Sequence, residues 1–414
     1  DVLATSALTW VAAAIAGRPD LHIVYSDEDK IDISGERFGP YFKSDWNYTL
    51  FLGHNLISHL GVYRASLVRQ VGGFRKGFEG SQDYDLALRC IERSRPGQIV
   101  HVPRFLYHWR TLPGSTALGA DEKPYALVSG QRALQEHLDR TWPGARVEIL
   151  PTWNYRCLPP PLPPEPLLTL LLLGPEDPSP APPWAQALIR SGVLADAIRC
   201  TDESVAVSKA IERAPTEFVA LIDARLVPLD AMALTEMLGQ ATRPGVAAVG
   251  AAIYDDTERL YDGGLVLDWD TLATPLHEGL PLSNNGYMGR AMLTQELSAV
   301  SLRCAVVRRT AMLEAGAFYQ AEAVDRAGSV QCCLNLRRTG AAVVWSPSTR
   351  WRQAGARVGD QPLLENTTPA LARLRAGFGT WLREDPGYHR ALDTRRADFT
   401  LRPEVAAAAD QASA

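Results

Sequence analysis

The apolar positions of this chain change period repeatedly, and each change marks an element. Ala7-Leu8-Thr9-Trp10-Val11-Ala12-Ala13-Ala14-Ile15 has helical spacing and stops at Gly17-Arg18-Pro19-Asp20. Leu21-His22-Ile23-Val24-Tyr25 follows as a buried strand that ends in the polar cluster Ser26-Asp27-Glu28-Asp29-Lys30. The pattern then predicts a helix from Tyr84 to Arg93, a strand over Gln98-Ile99-Val100-His101-Val102 and a closing helix from Ala126 to Leu138. Pro159-Pro160-Pro161-Leu162-Pro163-Pro164-Glu165-Pro166 reads as a stiff polyproline linker. A fresh start follows it, with a continuous apolar strand from Leu167 to Leu173, a helix from Trp184 to Ser191 and a strand Phe218-Val219-Ala220-Leu221-Ile222 ending at Asp223-Ala224-Arg225. The tail carries one helical stretch, Ala370 to Leu382, and an Ala-rich end expected to be disordered. Alternating helices and strands predict an α/β fold, in which ligands sit at the carboxyl ends of strands. The acidic cluster after Tyr25 is expected at such an end.

The chain repeats itself. Val62-Tyr63-Arg64-Ala65-Ser66-Leu67 followed by Val71-Gly72-Gly73-Phe74 recurs as Val306-Val307-Arg308-Arg309-Thr310-Ala311 followed by Ala315-Gly316-Ala317-Phe318. Asp85-Leu86-Ala87-Leu88-Arg89 recurs as Gln331-Cys332-Cys333-Leu334-Asn335, and Val100-His101-Val102-Pro103 as Val344-Trp345-Ser346-Pro347. The apolar frame survives, so both halves are expected to share a fold. The polar positions do not survive: Asp83 matches Ser329, Asp85 matches Gln331 and His108 matches Arg352.

Length and composition narrow the classes. A chain of 414 residues has room for two or three domains, and 46% hydrophobic with 21% charged content is ordinary for a globular protein. A net charge of -5 leaves no basic footprint for nucleic acid. Six cysteines without metal spacing point to a reducing cytoplasm. No apolar run reaches the ~18–20 residues that span a bilayer.

Candidate chemistry concentrates in the first half. Asp83 and Asp85 stand at a helix N-terminus, where Asp85 alone reads equally well as a cap. Asp83 follows the flexible loop Gly77-Phe78-Glu79-Gly80-Ser81 and suits a general base for a sugar hydroxyl. His108 precedes Arg110, a permanent cation suited to phosphate oxygens, and the loop Pro113-Gly114-Ser115-Thr116 adds hydroxyl donors. His101, in mid-strand, reads as packed. Asp27-Glu28-Asp29 fits a hard cation, a sugar or nucleotide contact, or simply a solvated strand end.

Tyr25-Ser26-Asp27-Glu28-Asp29-Lys30, Glu79-Gly80-Ser81-Gln82-Asp83-Tyr84-Asp85-Leu86 and Tyr107-His108-Trp109-Arg110 through Gly114-Ser115-Thr116-Ala117 together resemble the family 2 glycosyltransferases of bacterial surface-polysaccharide synthesis. The resemblance implies a GT-A fold, a nucleotide-sugar donor, a divalent metal (Mn2+ or Mg2+), a glycan or lipid-linked glycan acceptor, and inversion at the anomeric carbon. It implies Asp83 as acceptor-activating base with Asp85 as its acidic partner. Asp27, Asp29, Arg110 and Ser115 would lie at donor or acceptor, with His108 and Asp1 at the metal. The family's Asp-x-Asp motif would end at Asp1, so the first domain is expected to be incomplete at its N-terminus. The resulting expectation is two tandem GT-A domains: residues 1–145 as the C-terminal portion of the first, 146–166 as linker, 167–355 as a second, inactive copy, and 356–414 as a helical tail. Such an enzyme would work in the cytoplasm, at the inner face of the cell membrane. A non-catalytic glycan- or partner-binding module is the alternative, and a metal-dependent hydrolase a third reading.

Overall fold

The computed structural model describes residues 1–112, 124–175, 177, 179–318, 324–353 and 369–407. The fold is α/β, with two compact units. The first comprises Asp1–Cys157 with Tyr388–Arg390, and the second Leu158–Gly387 with Ala391–Ala414. Among the described residues no helix is long and apolar enough to cross a membrane. All six cysteines are free.

In the first unit, strands β1 (Val2–Leu3), β2 (Ile23–Ile31), β3 (Arg37–Tyr41), β4 (Gly61–Tyr63) and β5 (Ile99–Arg110) form one sheet in the order β1-β5-β2-β3, with β4 also on β2. β2 and β5 run parallel. Helices α1 (Ala7–Ala16), α2 (Tyr48–Gly53), α3 (Ala65–Gln70), α4 (Gln82–Ile91) and α5 (Pro124–Thr141) accompany the sheet, and the hairpin β6 (Arg146–Ile149) and β7 (Tyr155–Leu158) follows. Ala7 and Val11 of α1 pack with Leu21, Val24, Val102 and Leu106, because a spacing of four puts Ala7 and Val11 on one face of the helix and an even spacing puts Val102 and Leu106 on one face of β5.

The predicted helices and strands occur with ends shifted by a few residues, apart from two that run on. The strand at Gln98 continues to Arg110, and the strand at Leu21 does not end at Tyr25 but continues through the acidic cluster to Ile31. Asp27, Glu28 and Asp29 are therefore buried strand residues rather than a solvated strand end. Burying three carboxylates requires a partner for each. Asp27 meets His101 at 2.9 Å and His389 at 3.0 Å, Glu28 meets His59 at 2.7 Å, and Asp29 meets His108 at 2.5 Å.

Glu92 closes α4 onto α5 through His137 (2.8 Å) and Arg140 (2.6 Å). Burial pushes its carboxyl up, but these partners outweigh burial and hold it down at about 2. A folded value below the ordinary 4.5 means the contribution is complete above pH 4.5 and is lost as pH falls through about 2. The stability gap between wild type and Glu92→Gln, read from urea unfolding, is expected to close between pH 4.5 and 2. A gap that stays constant across that window would remove Glu92 from the acid response.

The second unit holds a larger sheet. Its strands are β8 (Leu168–Leu173), β9 (Leu194–Cys200), β10 (Phe218–Asp223), β11 (Leu226–Pro228), β12 (Val246–Tyr254), β13 (Leu260–Asp262), β16 (Gln295–Glu296), β18 (Cys304–Arg308) and β19 (Ala342–Gln353), while β14 (Gly264–Asp268), β15 (Leu272–Pro275) and β17 (Ala299–Val300) form a small separate sheet. Helices α6 (Pro183–Arg190), α7 (Ser204–Arg213), α8 (Ala233–Thr242), α9 (Arg309–Glu314), α10 (Arg326–Arg338) and α11 (Pro369–Arg383) complete it. β8, β9 and β10 are parallel and β8 is wholly buried, which explains its unbroken apolar run. The proline-rich stretch is partly docked: Leu162 packs against the core of this unit, and Pro159 lies against Gly239 of α8, where a Cβ would meet its ring at 2.4 Å.

The internal repeat is a topological repeat. β2 has β4 antiparallel and β5 parallel to it, as β12 has β18 antiparallel and β19 parallel. β1 pairs with β5 as β11 pairs with β19, with Val2 opposite His108 and Val227 opposite Arg352. The sheet register thus matches His108 with Arg352, as the sequence alignment of the halves does.

Candidate active site

Asp83 lies in the first turn of α4, half-buried, and its Oδ2 accepts a 2.9 Å hydrogen bond from the Asn55 side-chain amide. Asn55 is itself held, since its Oδ1 accepts from the Ser58 backbone at 3.1 Å. The start of α4 is fixed against α5 by close packing. A Cβ on Gly80, where φ is +85°, would meet Ala126 at 2.7 Å, and one on Gly130 would overlap the Tyr155 hydroxyl. Ser81 Oγ donates to the Ala126 carbonyl at 2.7 Å. Desolvation, and then the nearby Asp83 charge, hold the Tyr155 phenol above its ordinary range, so it remains a neutral donor beside the carboxylate. Asp83 thereby has one side-chain oxygen oriented by Asn55 on a closely packed helix start.

Asp85 is different. It is buried, and both its oxygens are taken by guanidinium groups: Arg75, which also reaches Glu136, and Arg89, whose Nη2 lies 2.6 Å away. Arg89 then donates to the Val71 and Gly73 carbonyls at 2.6 and 2.7 Å. Through Arg89 the side chain ties the loop before α4 to the helix.

The remaining expected residues sort by burial. His108 Nδ1 lies 2.5 Å from Asp29 Oδ1, and Arg37 Nε donates to Asp29 Oδ2 at 2.7 Å. A carboxylate on Nδ1 fixes the ring and makes Nε2 the nitrogen that could take a metal, as in metal-binding histidines. Asp1 is beside it in the sheet: Oδ1 accepts from the Arg110 backbone at 3.0 Å and Oδ2 from the Tyr107 hydroxyl at 2.7 Å. The Arg110 guanidinium reaches the Asp32 carbonyl at 3.5 Å. Ser115 lies outside the described residues. The structure brings Asp1, Asp29, His108 and Arg110 to one end of β5, and Asp27 to a separate cluster.

That cluster escaped the sequence. His101, expected to be merely packed, joins Asp27, and His389 arrives from 362 positions away. Together they can hold a metal ion, their donor atoms all lying within 4.8 Å of one another. Burial pushes the Asp27 carboxyl up, but bonds from both histidines hold it down at about 2. Asn55 was also missed; its one signal is a polar pair, His54-Asn55, between the apolar runs before Gly53 and after it.

The equivalent places in the second unit are changed. Ser329 is buried and its Oγ accepts from the Leu302 backbone at 3.1 Å, while Gln331 and Asn335 occupy the i,i+4 positions of Asp85 and Arg89. Asp223, at the carboxyl end of β10, is clamped by Arg225 (2.5 Å) and Arg303 (2.8 Å), and all three line a cavity of about 810 Å³. Burial raises its carboxyl, and the two guanidinium groups bring it below the ordinary value. A cation reaching Asp223 would have to displace both.

No protein-family model matches the chain. It is 34% identical over 444 residues to y4gI, an uncharacterized protein of Sinorhizobium fredii, and 28% identical over 439 residues to the O-antigen biosynthesis protein RfbC of Myxococcus xanthus. Each alignment covers 97% of this chain, which spans 48% and 34% of those relatives. Solved structures that it resembles include GalNAc-T7 with UDP, GalNAc and Mn2+ (11% identity, TM-score 0.33, 49% of this chain and 39% of that one) and a mannosyltransferase of Pyrobaculum calidifontis with GDP-Man and Mn2+ (13% identity, TM-score 0.28, 60% and 75%).

Proposed function

We propose that the first unit is the acceptor-activating part of an inverting, metal-dependent glycosyltransferase of family 2 type, extending a bacterial surface glycan of O-antigen or capsule kind. The observation that carries this reading is Asp83 on the first turn of α4, half-buried and aimed by Asn55 at 2.9 Å. Its match in the second unit is a buried serine bound to the backbone. Similarity to an O-antigen biosynthesis protein along 97% of the chain supports the substrate class.

In this reading Asp83 takes the proton of an acceptor hydroxyl, whose oxygen bonds to the anomeric carbon as the bond to the nucleoside diphosphate breaks. His108 and Asp1 would hold the divalent metal, and the Asp29–His108 pair, which fixes Nδ1 and leaves Nε2, fits that task. The metal supplies charge neutralisation for the departing diphosphate. Arg110 and Ser115 are assigned to donor phosphate, and Asp29 to aligning His108 beside the donor. Domain limits at 1–145 and 167–355, work at the inner face of the cell membrane and a lipid-linked acceptor belong to the same proposal.

The clamped Asp223 favours a non-catalytic role for the second unit, as a binding or bracing module. Asn55→Ala tests the positioning. In the complete natural protein it is expected to lower kcat roughly tenfold with little change in donor KM, because the base is retained but no longer aimed. An unchanged kcat would sink the assignment of Asn55.

A further inference from the structure

The Asp27 cluster stands apart from the transfer reaction, and its geometry is that of a ligand set. Asp27 comes from β2, His101 from β5 and His389 from the Tyr388–Arg390 segment, all within the first unit. Each Asp27 oxygen faces one imidazole: Oδ1 lies 2.9 Å from His101 Nε2 and Oδ2 lies 3.0 Å from His389 Nε2. All three side chains are at least nine-tenths buried. We propose that Asp27, His101 and His389 bind a divalent transition metal of the zinc type as a structural centre, which clips the Tyr388–Arg390 segment to β2 and β5.

Three features argue for a metal over a simple hydrogen-bonded trio. Two imidazoles and a carboxylate supply three ligand atoms, a nitrogen-rich set that suits tetrahedral Zn2+ or Co2+ with its fourth position open, and not Mg2+, which prefers oxygen and keeps its waters. Donors around zinc at ~2.0–2.1 Å stand roughly 3.3 Å apart, so the two Asp27–histidine separations need to open by only a few tenths of an ångström, within a donor set that spans no more than 4.8 Å. Next, His101 has an outer carboxylate: its Nδ1 lies 3.3 Å from Asp45 Oδ1, the arrangement that orients metal-bound histidines. The ring stacks on Tyr25 at 5.0 Å, and Phe42 packs on His389 at 5.0 Å, so the centre is walled by aromatic side chains.

The third feature is the repeat. Tyr25 stands opposite His101 where Gly250 stands opposite Trp345, and the following residues of β12 are Ala251 and Ala252. Trp345 is fully buried there, and its Nε1 donates to the Ala251 carbonyl. The same sheet thus closes on apolar residues, and the fold itself does not demand a buried carboxylate between two histidines. The neighbouring Lys43 ammonium is directed elsewhere, to the Ile57 and His59 carbonyls at 3.0 and 2.7 Å and toward Glu28 at 3.6 Å.

Co2+ is the probe, because its visible bands report coordination. The metal-depleted full chain, titrated with Co2+, is expected to develop intense tetrahedral bands at one equivalent, which Zn2+ then displaces. His389→Ala and His389→Gln are expected to lose these bands, whereas His108→Ala keeps them, which separates this centre from the metal of the transfer reaction. Absence of stoichiometric bands in the wild type, or bands that survive both His389 substitutions, would overturn the proposal. Should His389→Ala fold poorly, the wild-type titration and His389→Gln still decide it.

Discussion

Asp83→Asn in the complete natural protein is expected to lower sugar transfer by about 10²–10⁴-fold, the usual contribution of a positioned general base. The substitution keeps the shape of the side chain and its place at the start of α4. It retains an oxygen to accept from Asn55 Nδ2, so the 2.9 Å contact can persist and the fold should be unaffected. What disappears is the capacity to take a proton. Donor binding, measured by calorimetry with nucleotide sugar and Mn2+, is expected to stay within error of wild type, because Asp83 acts on the acceptor side. Transfer at a near wild-type rate would mean that another group accepts the proton.

Asp85→Ala is expected to act on stability instead, costing about 3–5 kcal/mol, because it strands two guanidinium groups beside a buried site. Arg89 is only 11% exposed and Arg75 35%, so Arg89 loses its counter-charge where water reaches least. Glu136 gives Arg75 a second partner at 2.9 Å, which limits its share of the loss. The loop carried by the Val71 and Gly73 carbonyls should loosen at the same time. Urea unfolding monitored through the first unit measures the effect. A loss under about 1 kcal/mol, the size of an exposed pair, would show that the two arginines find water or other partners.

The contrast between Asp83 and Asp85 explains what the sequence could reveal. Periodicity found the helices and strands that it named, because a helix such as α1 or a strand such as β8 is defined by its own residues. It cut β2 short at Tyr25, because three successive acids in a strand read as solvated unless their partners are known. Those partners are distant: His101 is 74 positions from Asp27, His108 79 from Asp29, and His389 362 from Asp27. No local pattern carries such information. The repeat did carry some, since it matched His108 with Arg352 before the sheet register did. It also singled out Asp83 and Asp85 together, but only the contacts separate the oriented, half-buried carboxylate from the one held by two arginines. Asn55 shows the remaining limit, because a polar pair between apolar runs gives no hint of the side chain that one of them aims.

In the proposed function Asp83 of the first unit, and not its counterpart in the second, drives sugar transfer. Acceptor-dependent release of nucleoside diphosphate, followed in the complete natural protein with Mn2+ and a panel of nucleotide sugars, tests it most directly when Asp83→Asn and Ser329→Ala are compared side by side. Release is expected from the wild type and from Ser329→Ala at similar rates, with acceptor-dependent release lost in Asp83→Asn. Equal rates in wild type and Asp83→Asn, or a collapse in Ser329→Ala alone, would contradict it.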